Sequence, residues 1–258
     1  MEQLLEQVRA VVIQAGEKLL DGYATTARPA TKADMARAGR RLDELVTAIL
    51  QPALADLRPE ARWAGDDQEM TALPPGEWWA VDPTEGAVNY VHGMDEWAVT
   101  VALISDNVPV LTVVHQPVGN RTWTAVRGGG AFLNGKPLTV SAKTELGAAI
   151  VTMTQPRTSN RRFGDAVATL LDKVLFVRST VPSTFPQLDV AAGHADAYWQ
   201  YECDLVGVAA GALLVSEAGG VVTDLRGEPW RPGHCDIVAG APGVHKELLA
   251  LLQAGDVH

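Results

Sequence analysis

The stretch Trp78-Trp79-Ala80-Val81-Asp82-Pro83-Thr84-Glu85-Gly86-Ala87-Val88-Asn89-Tyr90 constrains the chain more than any other. Its first four residues read as an apolar strand. An acid stands at the strand's end, and the chain then turns through Pro83 and Gly86 with a second acid, Glu85, between them. A buried strand that ends in closely spaced carboxylates is a common way to aim oxygens into a cleft. The fold must therefore cover this strand while leaving its acidic end reachable.

The rest of the chain supplies the cover. Residues 2–23 carry Leu4, Leu5, Val8, Val11, Val12, Ala15, Leu19 and Leu20 at helical spacing. A second helical stretch over 32–56 places Leu42, Leu45, Val46, Ile49 and Leu50 on one face, with Pro52 near its end. A short strand over 61–65 runs into Asp66-Asp67. From residue 96 the pattern changes to strands at 97–104, 109–115, 121–127 and 131–133. Asp106-Asn107, Val118-Gly119-Asn120 and Asn134-Gly135 separate them, which predicts an antiparallel meander. After residue 147 strands (149–154, 174–178, 195–199, 220–223, 235–240) alternate with helices (160–172, 183–192, 205–218, 242–253), as in a sheet covered by helices.

At 258 residues the chain has enough material for one large core, or two smaller ones built against each other. A formal charge of −10 argues against a nucleic-acid or anionic-membrane surface. Two cysteines, Cys203 and Cys235, are too few for a disulfide framework and their spacing suggests no zinc site. The N-terminal residues have scattered acids and no continuous apolar run, and no window has the length of a membrane span. A soluble cytoplasmic protein is the expectation.

The segment Asp82-Pro83-Thr84-Glu85-Gly86-Ala87-Val88-Asn89-Tyr90 resembles the metal-binding signature of the inositol monophosphatase family, roughly Asp-Pro-x-Asp-Gly-Thr-x-Asn-Phe. Gly128 to Ser141 is similar to the family's Gly-x-Gly-Ala-Phe-x-Asn-Gly hairpin. Ala209-Ala210-Gly211 through Glu217-Ala218-Gly219-Gly220 is similar to its Ala-Ala-Gly…Glu-Ala-Gly-Gly helix and turn. The resemblance implies a layered α-β-α-β-α architecture, an N-terminal α+β half over 1–146, a C-terminal α/β half over 147–258, and an active cleft between them. It also implies homodimers and hydrolysis of small phosphate monoesters with up to three Mg²⁺. Such chemistry needs several carboxylates around one pocket, because each hard divalent ion prefers oxygen ligands.

The same resemblance assigns ligands one by one. Asp82 matches the first motif aspartate. Glu85 replaces the second and is one methylene longer; Asp66 matches the first glutamate of the family's Gly-Glu-Glu and is one methylene shorter. The Thr84 carbonyl matches a further metal contact. Ala87 replaces the threonine that positions the attacking water, while the amides of Gly86 and Ala87 stand where the family holds phosphate. Counting back from Glu217-Ala218-Gly219-Gly220, the family's metal-binding aspartate falls on Gly207, with Asp204 three positions earlier. Lys32 to Arg40 resembles the family's Asp-Leu-Val-Thr-x-x-Asp segment, with Arg37 for its threonine and Arg40 for its terminal acid. The family's substrate-side Gly-Ser has become Val181-Pro182.

Losing acids and gaining bases at metal-facing positions disfavours a three-metal centre. An arginine is a natural counter-ion for acids left behind, so Arg40, helped by Arg37, is expected to compensate Asp82 and Glu85. The expected activity is metal-independent acid/base chemistry on a small molecule, with Asp82, Glu85 or Asp66 as acid or base. Arg37, Arg40, Gly86, Ala87, Asp204 and Gln200 would hold the substrate. Two other readings stay open: a weak phosphatase with Mg²⁺ on Asp66, Asp82, Glu85 and Thr84, and a non-catalytic homologue that binds a ligand or a protein. Plainer roles stand beside each residue as well. Asp82 and Glu85 would also serve as acceptors for backbone amides, Asp204 as a helix N-cap, the arginines as a solvated helix face, and His92 and His115 as structural histidines.

Overall fold

A computed structural model describes residues 1–23, 28–64 and 71–255. Two helices, α1 (Glu2–Leu20) and α2 (Lys32–Leu57), come first. Thr31 and Asp34 start α2 with a reciprocal capping box, each side chain bonding the other's backbone amide. The first sheet has seven strands in the order β1 (Arg62–Trp63), β2 (Glu77–Glu85), β3 (Ala98–Ser105), β4 (Val108–Gln116), β5 (Arg121–Val126), β6 (Gly130–Leu133) and β7 (Lys136–Pro137). From β2 onward it is the predicted antiparallel meander. The second sheet uses β8 (Ile150–Met153), β9 (Phe176–Ser179), β10 (Ala197–Tyr201), β11 (Val221–Thr223) and β12 (Asp236–Gly240), in the order β11-β12-β10-β8-β9. Helices α4 (Asn160–Leu171), α5 (Thr184–Ala191), α6 (Leu205–Glu217) and α7 (Pro242–Gly255) connect or follow these strands.

Side-chain alternation along β2 explains the layering. Trp79 and Val81 point into a core shared with Val8, Val12 and Leu19 of α1 and Val46, Leu50 and Leu54 of α2. Trp78 and Ala80 point the other way, into a core shared with α5 and α6. Successive strand residues face opposite sides of a sheet, so a strand covered on both faces must be apolar throughout. Helix α6 is apolar around its whole circumference and is buried over ten of its thirteen residues, as expected of a helix between two sheets. Behind the second sheet, Trp199 and Tyr201 pack with Leu170 of α4 and Leu248 and Leu252 of α7. The five layers run α1/α2, first sheet, α5/α6, second sheet, α4/α7, which is the expected α-β-α-β-α order.

Three local expectations differ. The motif after Glu85 does not stay a turn: Ala87–His92 form a short helix, α3, because Gly86 at φ 86° reverses the chain and Tyr90 N–H then bonds Gly86 O. The strand expected over 174–178 begins at Phe176, since the Leu175 and Phe176 amides both bond Ala149 O. The strand expected over 195–199 is shifted to Ala197–Tyr201. Asp196 is occupied just before it, accepting hydrogen bonds from Ile150 N, Ser141 Oγ and Lys143 Nζ.

Candidate active site

Asp82 and Glu85 lie three residues apart on β2, and an ideal strand would send them to opposite faces. The sheet corrects this with a bulge. Asp82 pairs with Thr100 and Glu85 with Ala98, so three steps on β2 match two on β3. Pro83, which has no amide to donate, sits inside the bulge. Both carboxyl groups then converge closely enough to influence each other's proton affinity. Asp82 Oδ1 accepts from Thr84 N at 2.9 Å, and Glu85 Oε1 accepts from Thr184 N, the first residue of α5, at 2.9 Å.

Burial raises the proton affinity of both acids. Asp82 is pushed up to about 6 by loss of solvent; Glu85 and the bond from the Thr84 amide hold it down in part, and the charges of Asp43 and Asp204 add to the rise. Glu85, only 3% exposed, is raised well above the carboxylate range by burial and then by the neighbouring Asp82. Two carboxyls this close do not both stay ionised cheaply. Both acids are therefore shifted toward the protonated form, Glu85 by burial and by Asp82 beside it.

The remaining expected residues divide into those the fold brings to this pair and those it does not. Asp204 caps α6, with Oδ1 accepting from Gly207 N at 2.8 Å and Oδ2 bound to Arg157 Nη2 at 2.7 Å. A side chain at Gly207 would start 2.8 Å from Asp204 Oδ1. The cap therefore occupies the space into which an aspartate there would project. Gly86 is held tightly: a Cβ would meet Glu96 O at 2.7 Å and the Pro182 ring at 3.0 Å. Gln200 is buried on β10 and accepts a hydrogen bond from Tyr198 Oη, whose proton is held more tightly by burial. Ala87, exposing no polar side-chain atom, opens α3. Asp66 lies outside the described residues.

Arg40 and Arg37 correct the counter-ion expectation. Arg40 is exposed on α2 and has no ion pair among the described residues, and Arg37 is exposed and paired with Asp34. Neither joins Asp82 or Glu85. The helix instead turns Asp43, three residues beyond Arg40 and so on the same face, toward the acids. Asp43 sits beside the buried Thr84 hydroxyl without closing a well-formed hydrogen bond to it, and its own affinity for a proton is raised by burial. Sequence reading missed Asp43 because it followed the family's motif to its last position; the i, i+3 spacing was the available signal. His92 and His115 take structural roles, with ring nitrogens 2.7 Å from Val88 O and 2.9 Å from Thr122 Oγ1.

The chain matches the model of the inositol monophosphatase family over residues 1–255. It is 32% identical over 217 residues to an inositol-1-monophosphatase from Rhizobium meliloti, covering 82% of this chain and 81% of that one. It is 30% identical over 210 residues to a putative Nus factor SuhB from Neisseria meningitidis serogroup B, covering 80% of each. Among solved structures, the native extragenic suppressor protein suhB of Bartonella henselae superposes with a TM-score of 0.82 at 26% identity, covering 98% of this chain and 99% of that one. Fold and site define a layered α/β protein with two acids brought together at the end of a sheet strand. The chain belongs to the inositol monophosphatase family.

The family is normally Mg²⁺-dependent, so the donor set bears testing against that ion. Among the described residues no three Asp, Glu, His or Cys side chains gather so as to hold a metal. The oxygens nearest the pair are also engaged: Asp204 by Gly207 N and Arg157, Glu85 Oε1 by Thr184 N, Asp82 Oδ1 by Thr84 N. Of the candidate ligands, Asp82, Glu85 and the Thr84 carbonyl are among the described residues, and Asp66 is outside them.

Proposed function

We propose that this chain uses the family's cleft for metal-independent proton transfer on a small polar molecule, in an elimination, cyclisation, isomerisation or hydrolysis. The observation that supports it most is the Asp82–Glu85 pair, a half-buried and a buried carboxyl brought together by the bulge in β2, both with raised proton affinity. Glu85 would donate a proton to an oxygen of the substrate, and Asp82 would accept one from carbon, oxygen or water, so that the pair ends with its proton count unchanged. An acid held near 6 is matched to proton transfer around neutrality. The cleft would lie between the halves 1–146 and 147–258, lined by Asp43, Asp204 with Arg157, Gly86, Ala87 and Gln200. The absence of a hydroxyl at Ala87 and of an acid at Gly207 supports this reading over phosphate-ester hydrolysis. No helix among the described residues is long and apolar enough to cross a membrane, and we place the protein in the cytoplasm as a homodimer by its kinship.

The test is a phosphate-release assay on myo-inositol 1-phosphate and p-nitrophenyl phosphate, with EDTA or with about 5 mM Mg²⁺. The expected outcome is no Mg²⁺-dependent turnover. Turnover that Mg²⁺ elicits and Asp82→Asn abolishes would overturn the proposal. A second reading, a non-catalytic role with a protein partner, is favoured by the name Nus factor SuhB that several relatives carry. Under it, Asp82→Asn and Glu85→Gln would leave partner capture and cellular phenotype unchanged.

A further inference from the structure

We propose that a second cavity, at the far end of α6 from the acidic pair, binds a small organic anion with a flat apolar body, an aromatic carboxylate being the simplest case. The cavity lies where the start of β4, the turn after β5, α6, β11 and the segment before β12 meet, and has a volume of about 130 Å³. That is close to the room one benzene ring occupies in an engineered protein cavity. Its apolar wall includes Pro109, Leu213, Val222 and Trp230, contributed from both sides of α6. Trp230 is 7% exposed, so its ring is a fixed surface rather than a mobile cover.

The polar side of the cavity is formed by Arg127 and Arg231, both exposed. Neither has an ion pair among the described residues, and the lining contains no Asp or Glu. In a chain of net charge −10, two guanidinium groups without an ion pair among the described residues at one hollow make a local exception. Guanidinium forks bind carboxylates through paired hydrogen bonds and also stack on flat rings, so both parts of such a ligand would be recognised. The cavity is separate from the acidic cleft. Asp204 starts α6 and Ser216 of the cavity lies twelve residues later (216 − 204), roughly 18 Å along a helix that rises 1.5 Å per residue. The inference does not depend on the reaction proposed above.

The experiment is a ¹⁹F NMR titration of the full-length protein with 4-fluorobenzoate, beside 4-fluorobenzamide and a competition with inorganic phosphate. Saturable benzoate binding, at least fivefold tighter than benzamide and weakened at least tenfold in Arg127→Ala/Arg231→Ala, is the expected result. Both arginines are exposed, so the double variant should fold; its far-UV CD spectrum and the two single variants confirm that lost binding is local. Equal binding of benzamide would show that the arginines contribute nothing. Displacement by equimolar phosphate would show that the apolar wall contributes nothing, and undiminished binding in the double variant would place the ligand elsewhere. Any of these three overturns the proposal.

Discussion

Two groups of buried acids meet opposite fates in this molecule. Asp224, 2% exposed, is surrounded by donors: its Oδ1 accepts from Arg226 N and Glu228 N, and its Oδ2 from Arg226 Nε. Burial alone would raise its proton affinity, but the Arg226 guanidinium and these amides outweigh burial and hold it below the usual carboxylate range. Glu85, 3% exposed, has one amide and another acid for company, and its affinity rises. Two acids with almost no exposed surface thus differ in their surroundings: Asp224 is met by donors, while Glu85 lies among fewer donors, deeper, and beside a second acid. Donor count and depth act together in separating the structural acid from the candidate catalytic one.

Breaking the satisfied acid should have the larger effect. Asp224→Ala orphans two amides and the Arg226 side chain, and should cost about 3 kcal/mol in urea unfolding; a loss below about 0.5 kcal/mol would erase the contrast. Asp82→Asn should have the opposite sign. Asp82 binds its proton more tightly when folded, so the native state holds more protons than the unfolded chain between about pH 4 and pH 6, and stability falls as pH rises through that window. Removing the charge should therefore stabilise the EDTA-treated protein at pH 8 by about 2 kcal/mol, with the gain vanishing near pH 4. A destabilised variant at pH 8 would show that the pair is compensated after all. The smallest effect belongs to Asp204, which is a cap before it is an acid. Asp204→Ala should cost about 1 kcal/mol and Asp204→Asn much less, since the amide oxygen still accepts from Gly207 N.

Much of the fold was readable because its signals are local and repeated. Apolar alternation along Trp78–Val81 and the helical stripe of α1 each state which face is buried, and the Asn-Gly and Asp-Asn turns locate the meander's corners. The site was only half readable. Asp82 and Glu85 could be named from spacing, but not their convergence, which depends on a bulge set by pairing with β3. Arg40 was expected to face the acids because it occupies a family position. On α2 it points to solvent, and the next turn's Asp43 takes the inward place. A motif match does not say which of two residues one turn apart on the same helix face lies nearer the site.

The contacts around Pro182 carry a mechanical consequence. Asn89 Nδ2 bonds both Glu96 O and Val181 O at 2.8 Å, and Glu85 receives the Thr184 amide two residues after the proline. The strand end that bears the acids is thereby sewn on both sides of Pro182 to the segment that leads into α5. Parting these two segments would break the Asn89–Val181 and Thr184–Glu85 hydrogen bonds together, so each bond supports the other. The strand end that carries the acids and the start of α5 are thereby joined as one piece, so a substitution on either side of the joint is expected to disturb the other.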